Sequence, residues 1–234
     1  CCRHCFEVKA DPRLGLQKPV ALKGLGRFRH EAVACDPGDG SVYLTEDRDD
    51  GLLYRFVPDR RQDLSSGTLY ALAVKEQKSA DLRNHQPEPK RLIKEGQRLA
   101  IHWIEVTDPA SPKDDLRIRE FEKGAARFAR AEGIFYDKGA LYLCCTNGGP
   151  EKRGQIFRIL PSPDEDRGQA FPVIESPDDF RESFRGPFPD FVFGNRCDQG
   201  PPFSFGMAMA IMVLALRDHS GHSSWCGSRP APRI

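Results

Sequence analysis

The sequence predicts an all-β fold, specifically an incomplete β-propeller of about three to four blades followed by an irregular C-terminal tail. Three observations carry this. A phrase near the start, "RHEAVACD" (29–36), returns about a hundred positions later as "ARAEGIFYD" (129–137). Each copy continues into two further apolar runs of strand length, separated by turn chemistry. Apart from one stretch, helix-period patterns are absent, whereas short apolar runs bounded by Gly, Pro and Asp recur.

The first copy extends as "EAVACDPGDGSVYLTEDRDDGLLYRFVP" and the second as "EGIFYDKGALYLCCTNGGPEKRGQIFRILP". Glu31, Asp36, Tyr43, Leu44, Gly51, Tyr54, Arg55 and Pro58 correspond to Glu132, Asp137, Tyr142, Leu143, Gly154, Phe157, Arg158 and Pro161. Length differences fall in the turn after the Asp and in the polar loop before the third run, where surface loops tolerate change. The run before the Asp is the first strand, and "DPGDG" and "DKG" are hairpin turns of the Asp-Gly kind. "SVYL" and "ALYL" are second strands; "GLLYRFVP" and "GQIFRILP" are third strands. "GTLYALAV" (67–74) adds a fourth run to the first unit, and "RLAIHWIEV" (98–106) predicts another strand or pair. The one helical stretch is "LRIREFEKGAARFARA" (116–131). A β-sandwich would accommodate the strands but gives no reason to repeat a phrase at a spacing near two blades.

On a strand, residues i and i+2 share a face, so Arg29 pairs with Glu31 and Arg130 with Glu132. The first strand of a propeller blade lines the central channel. Carboxylates directed there hold hard cations through oxygen, and the planar Arg fork matches phosphate or carboxylate. The same spacing also describes an ordinary half-buried ion pair or a contact between blades, and the pattern leaves both readings open. The loops "TEDRDDG" (45–51) and "CTNGGPEKRG" (145–154) occupy equivalent places. Their Asp and Asn side chains suit Ca²⁺ or a solvated turn equally, without the twelve-residue EF-hand spacing. His85 and His102 are expected to be polar core or surface residues.

With 35 Lys and Arg against 34 Asp and Glu, the 234 residues carry a formal charge of +1, so no global basic field argues for nucleic acid or anionic membrane. Eight cysteines form no evident framework: Cys2 and Cys5 make a single C-x-x-C without a second pair at zinc spacing. The adjacent Cys144 and Cys145 are expected to be small buried residues. No signal peptide is visible. The longest apolar run, "MAMAIMVLAL" (207–216), falls well short of the roughly twenty residues a spanning helix requires.

The phrases "GRFRHEAVACDPGDGSVYLTEDRDDGLLYRFVP", "DLSSGTLYALAV" and "GAARFARAEGIFYDKGALYLCCTNGG" resemble the PhoX-type alkaline phosphatases, over about 16–177 with a weaker stretch at 76–97. The resemblance implies a six-bladed propeller with an axial cluster of iron and calcium ions. It also implies phosphomonoester hydrolysis and export to the periplasm or beyond, by a twin-arginine signal. It makes Glu31 and Glu132 metal ligands and Arg130 the residue that contacts substrate phosphate, with Asp47 and Asn147 as weaker loop candidates for metal. The expected cofactors are accordingly Ca²⁺ and Fe³⁺.

The departures are as informative. The family's iron-binding Cys has no matching motif around Cys1, Cys2 and Cys5. After "VIESPD" (173–178) no "CEDG"-like acidic phrase follows, and 178–234 shows no alternation or blade motif. The expected organisation is therefore a foreign segment (1–15), the partial propeller (16–177) and a tail (178–234) from a shifted frame, a truncated gene or genuine divergence. The expected function is phosphomonoester hydrolysis impaired by missing parts. The alternative is a non-catalytic partial propeller with residual calcium binding. A sugar-lactone hydrolase on a related propeller also uses axial acidic residues, but it would not account for the long phrases.

Overall fold

A computed structural model describes residues 6, 8–9, 13, 15–16, 18–86, 93–94, 97–150, 152–161 and 169–175. The tail expected from residue 178 and the cysteines at 1, 2 and 5 lie outside the described residues. Two short strands, β1 (Val8–Lys9) and β2 (Val20–Ala21), pair with each other. The first repeat then builds β3 (His30–Cys35), β4 (Val42–Glu46), β5 (Gly51–Arg60) and β6 (Asp63–Val74), each antiparallel to the next. β7 (Leu99–Glu105) pairs with β6. Helix α1 (Leu116–Lys123) leads to the two-residue β8 (Arg127–Phe128), which pairs with the start of β5. The second repeat builds β9 (Ala131–Asp137), β10 (Ala140–Cys145), β11 (Gln155–Leu160) and β12 (Gln169–Glu175).

Among the described residues the strand order is β3-β4-β5-β6-β7-β12-β11-β10-β9, closed at neither end. Two four-stranded antiparallel units thus stand back to back, joined edgewise through β7, as adjacent blades of a partial propeller. Alternation along β4 and β5 explains why both faces of the first unit are buried. Tyr43 and Leu53 point towards the second unit, where they share a core with Leu72, Phe128, Leu141, Leu143 and Phe157. Val42, Leu44, Leu52, Tyr54 and Phe56 point the other way and pack against Leu25, Phe28 and Leu116 of α1. Within the shared core the Phe128 and Phe157 rings meet edge to face at 5.2 Å, a favoured aromatic arrangement.

Two local expectations are refined. The helical stretch ends at Lys123 because Gly124 takes φ 133°, a conformation suited to a residue without Cβ; the residues beyond it form β8. "DKG" is a two-residue hairpin with positive φ at Lys138 (47°) and Gly139 (82°), the combination that matches strand twist. "DPGDG" instead makes a wider connection, closed by the Asp36 N–H on the Ser41 carbonyl (2.8 Å) and the Gly40 N–H on the Asp36 carbonyl (2.9 Å).

Candidate active site at the seam of the two repeats

The repeat holds down to the register of its inner strands. In the first unit His30 faces Glu46 and Val33 faces Leu44; in the second Ala131 faces Cys145 and Ile134 faces Leu143. The pairing slips by one residue at the same place in both, so Glu31-Ala32 opposes Thr45 alone and Glu132-Gly133 opposes Cys144 alone. Such a bulge kinks the strand and re-aims its side chains. The loops correspond as well: the Asp47 N–H donates to the Arg29 carbonyl and the Thr146 N–H to the Arg130 carbonyl, both at 3.0 Å. The two units are stitched together here. Thr45 Oγ1 donates to the Glu132 carbonyl (3.0 Å) and the Arg130 N–H to the Arg48 carbonyl (2.8 Å).

Arg130 occupies the seam with φ 51°, a left-handed conformation costing a non-glycine residue about 1–2 kcal/mol. Such strain persists where the surroundings over-determine it, and here the guanidinium is fixed by two carboxylates. Nε donates to Asp47 Oδ1 (2.8 Å) and Nη2 to Asp47 Oδ2 (3.1 Å), while Nη2 also lies 2.9 Å from Glu132 Oε1. The Arg130 side chain is 38% exposed, against 14% for Asp47 and 8% for Glu132, so the cation is the member of the cluster that solvent reaches.

Glu132 Oε1 also accepts from Thr146 Oγ1 at 2.8 Å. Burial pushes the Glu132 carboxyl above its ordinary value; the Thr146 hydrogen bond and the Arg130 charge oppose this, and the Asp47 and Glu31 charges add to it. Glu31 is therefore close enough to act on Glu132, although its own side chain is exposed on β3. Asn147 lies one loop position further on: Nδ2 donates to Asp49 Oδ1 (2.9 Å), and its carbonyl lies 2.7 Å from His85 Nε2. Arg83 reaches the same loop through the Asp49 carbonyl (3.3 Å). Arg83 is anchored by Asp81 at 2.7 Å. Burial would raise the Asp81 carboxyl, but hydrogen bonds from Arg83 and Arg127 outweigh it and pull Asp81 down to about 2.

The structure thus brings Arg130, Asp47 and Glu132 into direct contact, sets Glu31 within electrostatic reach and places Asn147 on the rim. Thr146 was not singled out from sequence, yet it is the counterpart of Asp47 in the second repeat, and counting on from the matched Tyr43-Leu44 and Tyr142-Leu143 would have found it. Glu46 was also passed over. It is buried at the end of β4, where Oε2 accepts from the Leu52 N–H (3.3 Å) and the Tyr54 hydroxyl (3.1 Å). Burial pushes Glu46 up to about 7 against these bonds and the Arg117 charge. The adjacent Cys144 and Cys145 are buried, and burial drives Cys144 up to about 12 and Cys145 well above the ordinary thiol value.

Hard oxygen donors from Glu31, Asp47, Glu132, Thr146 and Asn147 suit calcium in kind. Among the described residues, however, no group of three or more His, Cys, Asp or Glu side chains converges at metal-holding distance. The Arg130 cation stands between the Asp47 and Glu132 carboxylates. A full shell of six to eight oxygens would need donors from elsewhere.

The two repeats form an antiparallel partial propeller with a carboxylate–arginine cluster at their seam. The family model described as alkaline phosphatase PhoX matches residues 2–187, and the chain belongs to the PhoX family. The solved structure of Pseudomonas fluorescens PhoX in complex with vanadate, a transition state analogue, superposes with a TM-score of 0.51 at 24% identity. The match covers 71% of this chain and 35% of that one. At this level of identity the likeness establishes the fold, and the chain spans about a third of that protein's length. No curated protein sequence matches the chain.

Proposed function

We propose that the chain carries part of the active site of a metal-dependent phosphomonoester hydrolase, with Arg130 as the phosphate-binding residue. Glu31 and Glu132 are the metal-holding carboxylates of this reading, assisted by Asp47 and Asn147. The observation that carries it is the centre at the seam: one partly exposed guanidinium held by the buried Glu132 of the inner strand β9 and the half-buried Asp47 of the loop after β4. Family membership supplies the reaction class and the expected ions, Ca²⁺ and Fe³⁺. Bound there, such ions would supply positive charge against the phosphoryl oxygens.

The chain's own residues have separable tasks. Asp47 and Glu132 engage Nε and Nη2 and so fix the plane of the Arg130 guanidinium, which leaves the two Nη1 N–H groups to donate to phosphoryl oxygens. In the transfer step those donors stabilise charge developing on the equatorial oxygens. Thr146 holds Glu132 Oε1 and thereby orients its second oxygen. Export to the periplasm or beyond belongs to the same proposal. No helix among the described residues is long and apolar enough to cross a membrane.

A second reading, a non-catalytic partial propeller with residual calcium binding at most, is favoured by the small donor number at the seam. Turnover of p-nitrophenyl phosphate by the purified chain, with and without chelator, separates the two. The hydrolytic reading expects slow, chelator-sensitive turnover, below the usual enzymatic range of about 1–10³ s⁻¹, that disappears in R130Q. Turnover that survives both chelator and R130Q would overturn it. Calcium binding with no turnover at all would leave the second reading in its place.

A further inference from the structure

The loop that carries Asp47 alternates its attachments residue by residue. Asp47 holds Arg130 (2.8 Å), and Arg48 Nη2 pairs with Asp114 Oδ2 (3.2 Å). Asp49 accepts from Asn147 (2.9 Å), and Asp50 Oδ1 pairs with Arg117 Nε (2.9 Å). The odd positions therefore face the seam, while the even positions are tied to the start of α1. Arg117 Nη1 also donates to the Asp114 carbonyl (3.2 Å), joining the two anchor points.

The base of the loop is equally constrained. Buried Glu46 accepts from the Leu52 N–H and the Tyr54 hydroxyl across it. A Cβ on Gly51 would lie 2.3 Å from the Glu46 carbonyl oxygen, so the turn closes as tightly as a chain without a side chain allows. A four-residue loop closed at its base and held at alternate positions has little freedom to move one face independently of the other.

We infer that Arg117 and Asp114 are positioning residues, which set the Asp47 carboxylate, and through it the Arg130 guanidinium, from the far side of the loop. They meet the loop through Arg48 and Asp50 and lie outside the repeated phrases. Small displacements of a charged group at a reactive centre cost far more in function than in stability, so a helix that meets only the back of the loop controls the quality of the centre. The inference rests on the seam being the working site, and its test is chosen to fail separately from that reading.

The probe is the Arg130 Nε–H, which donates to Asp47 Oδ1 and whose solvent exchange is followed by ¹⁵N NMR on the full chain. R117A and D50N are expected to speed that exchange by about tenfold or more, as protection follows local opening. R117K, which keeps a cation for Asp50, should restore most of the protection. K123A is the control: it perturbs the other end of α1, where Nζ meets Glu120 Oε1 (2.9 Å), and should leave the exchange unchanged. Wild-type exchange in folded R117A and D50N, or acceleration by K123A equal to theirs, would overturn the inference. Should R117A not fold, D50N decides, since it removes one charge from a side chain 40% exposed. Absence of phosphate binding or hydrolysis by the wild-type chain counts against the functional reading and leaves this outcome standing.

Discussion

Replacing Arg130 with Met keeps most of the side-chain volume but leaves Asp47 and Glu132 facing each other without a cation. Their side chains are 14% and 8% exposed. Breaking a fully buried pair costs about 3–5 kcal/mol and losing an exposed one about 0.2–1 kcal/mol. With two enclosed carboxylates and a guanidinium open to solvent over a third of its surface, an intermediate loss of about 2 kcal/mol follows. For a chain of this size that lowers Tm by about 4–8 °C. The pH dependence is the sharper signature. Glu132 is already raised in the folded state, so the native protein holds more protons than the unfolded chain above the ordinary carboxylate range. Stability from this group is therefore lost as pH rises through that window. Removing Arg130 extends the window upwards, so the R130M deficit should be largest near pH 8 and shrink towards pH 5. Thermal unfolding followed by circular dichroism at both pH values measures it. An equal deficit at the two, or none, would refute the claim that Arg130 neutralises these carboxylates.

Glu46 gives an independent titration: burial pushes it up to about 7, so up to about 3 kcal/mol of stability should be lost as pH rises from the acid range through neutrality. E46Q retains an acceptor for Leu52 and Tyr54, and urea unfolding should show that slope flattened; an unchanged slope would remove Glu46 as its source. G51A places a Cβ 2.3 Å from the Glu46 carbonyl oxygen and should destabilise by more than about 1 kcal/mol, visible as a lower urea midpoint. A midpoint equal to wild type would show that the loop closes less tightly than described.

Much of this architecture was legible because it is local and repeated. The phrases around Glu31 and Glu132 placed β3 and β9, and the runs after them placed β4, β5, β10 and β11 within a few residues. Strand periodicity suggested that Arg130 and Glu132 share a face; they do meet, but Arg130 precedes β9 in a left-handed conformation, so the contact is set by the seam and not by the strand. The matched bulges at Glu31-Ala32 and Glu132-Gly133 were not legible, because a one-residue register slip leaves no compositional trace. Nor was the choice of Asp47 rather than Glu31 as the direct partner of Arg130, which depends on how two residues 83 positions apart in sequence meet across the seam. The α1 anchors, Asp114 and Arg117, belong to no repeat, and ordinary surface-helix charges look the same in sequence. The end of α1 at Gly124 could have been read, since a Gly after a basic last turn is a helix stop signal.

The central claim is that Arg130, Asp47, Glu31 and Glu132 form a cation-assisted phosphate site. Isothermal titration of the full chain with inorganic phosphate, in the presence and absence of calcium, tests it most directly. The account predicts phosphate binding that requires calcium and disappears in both R130Q and E132Q, with each variant still folded. Phosphate binding indifferent to calcium and to Arg130, or no phosphate binding by the wild-type chain with calcium present, would contradict it.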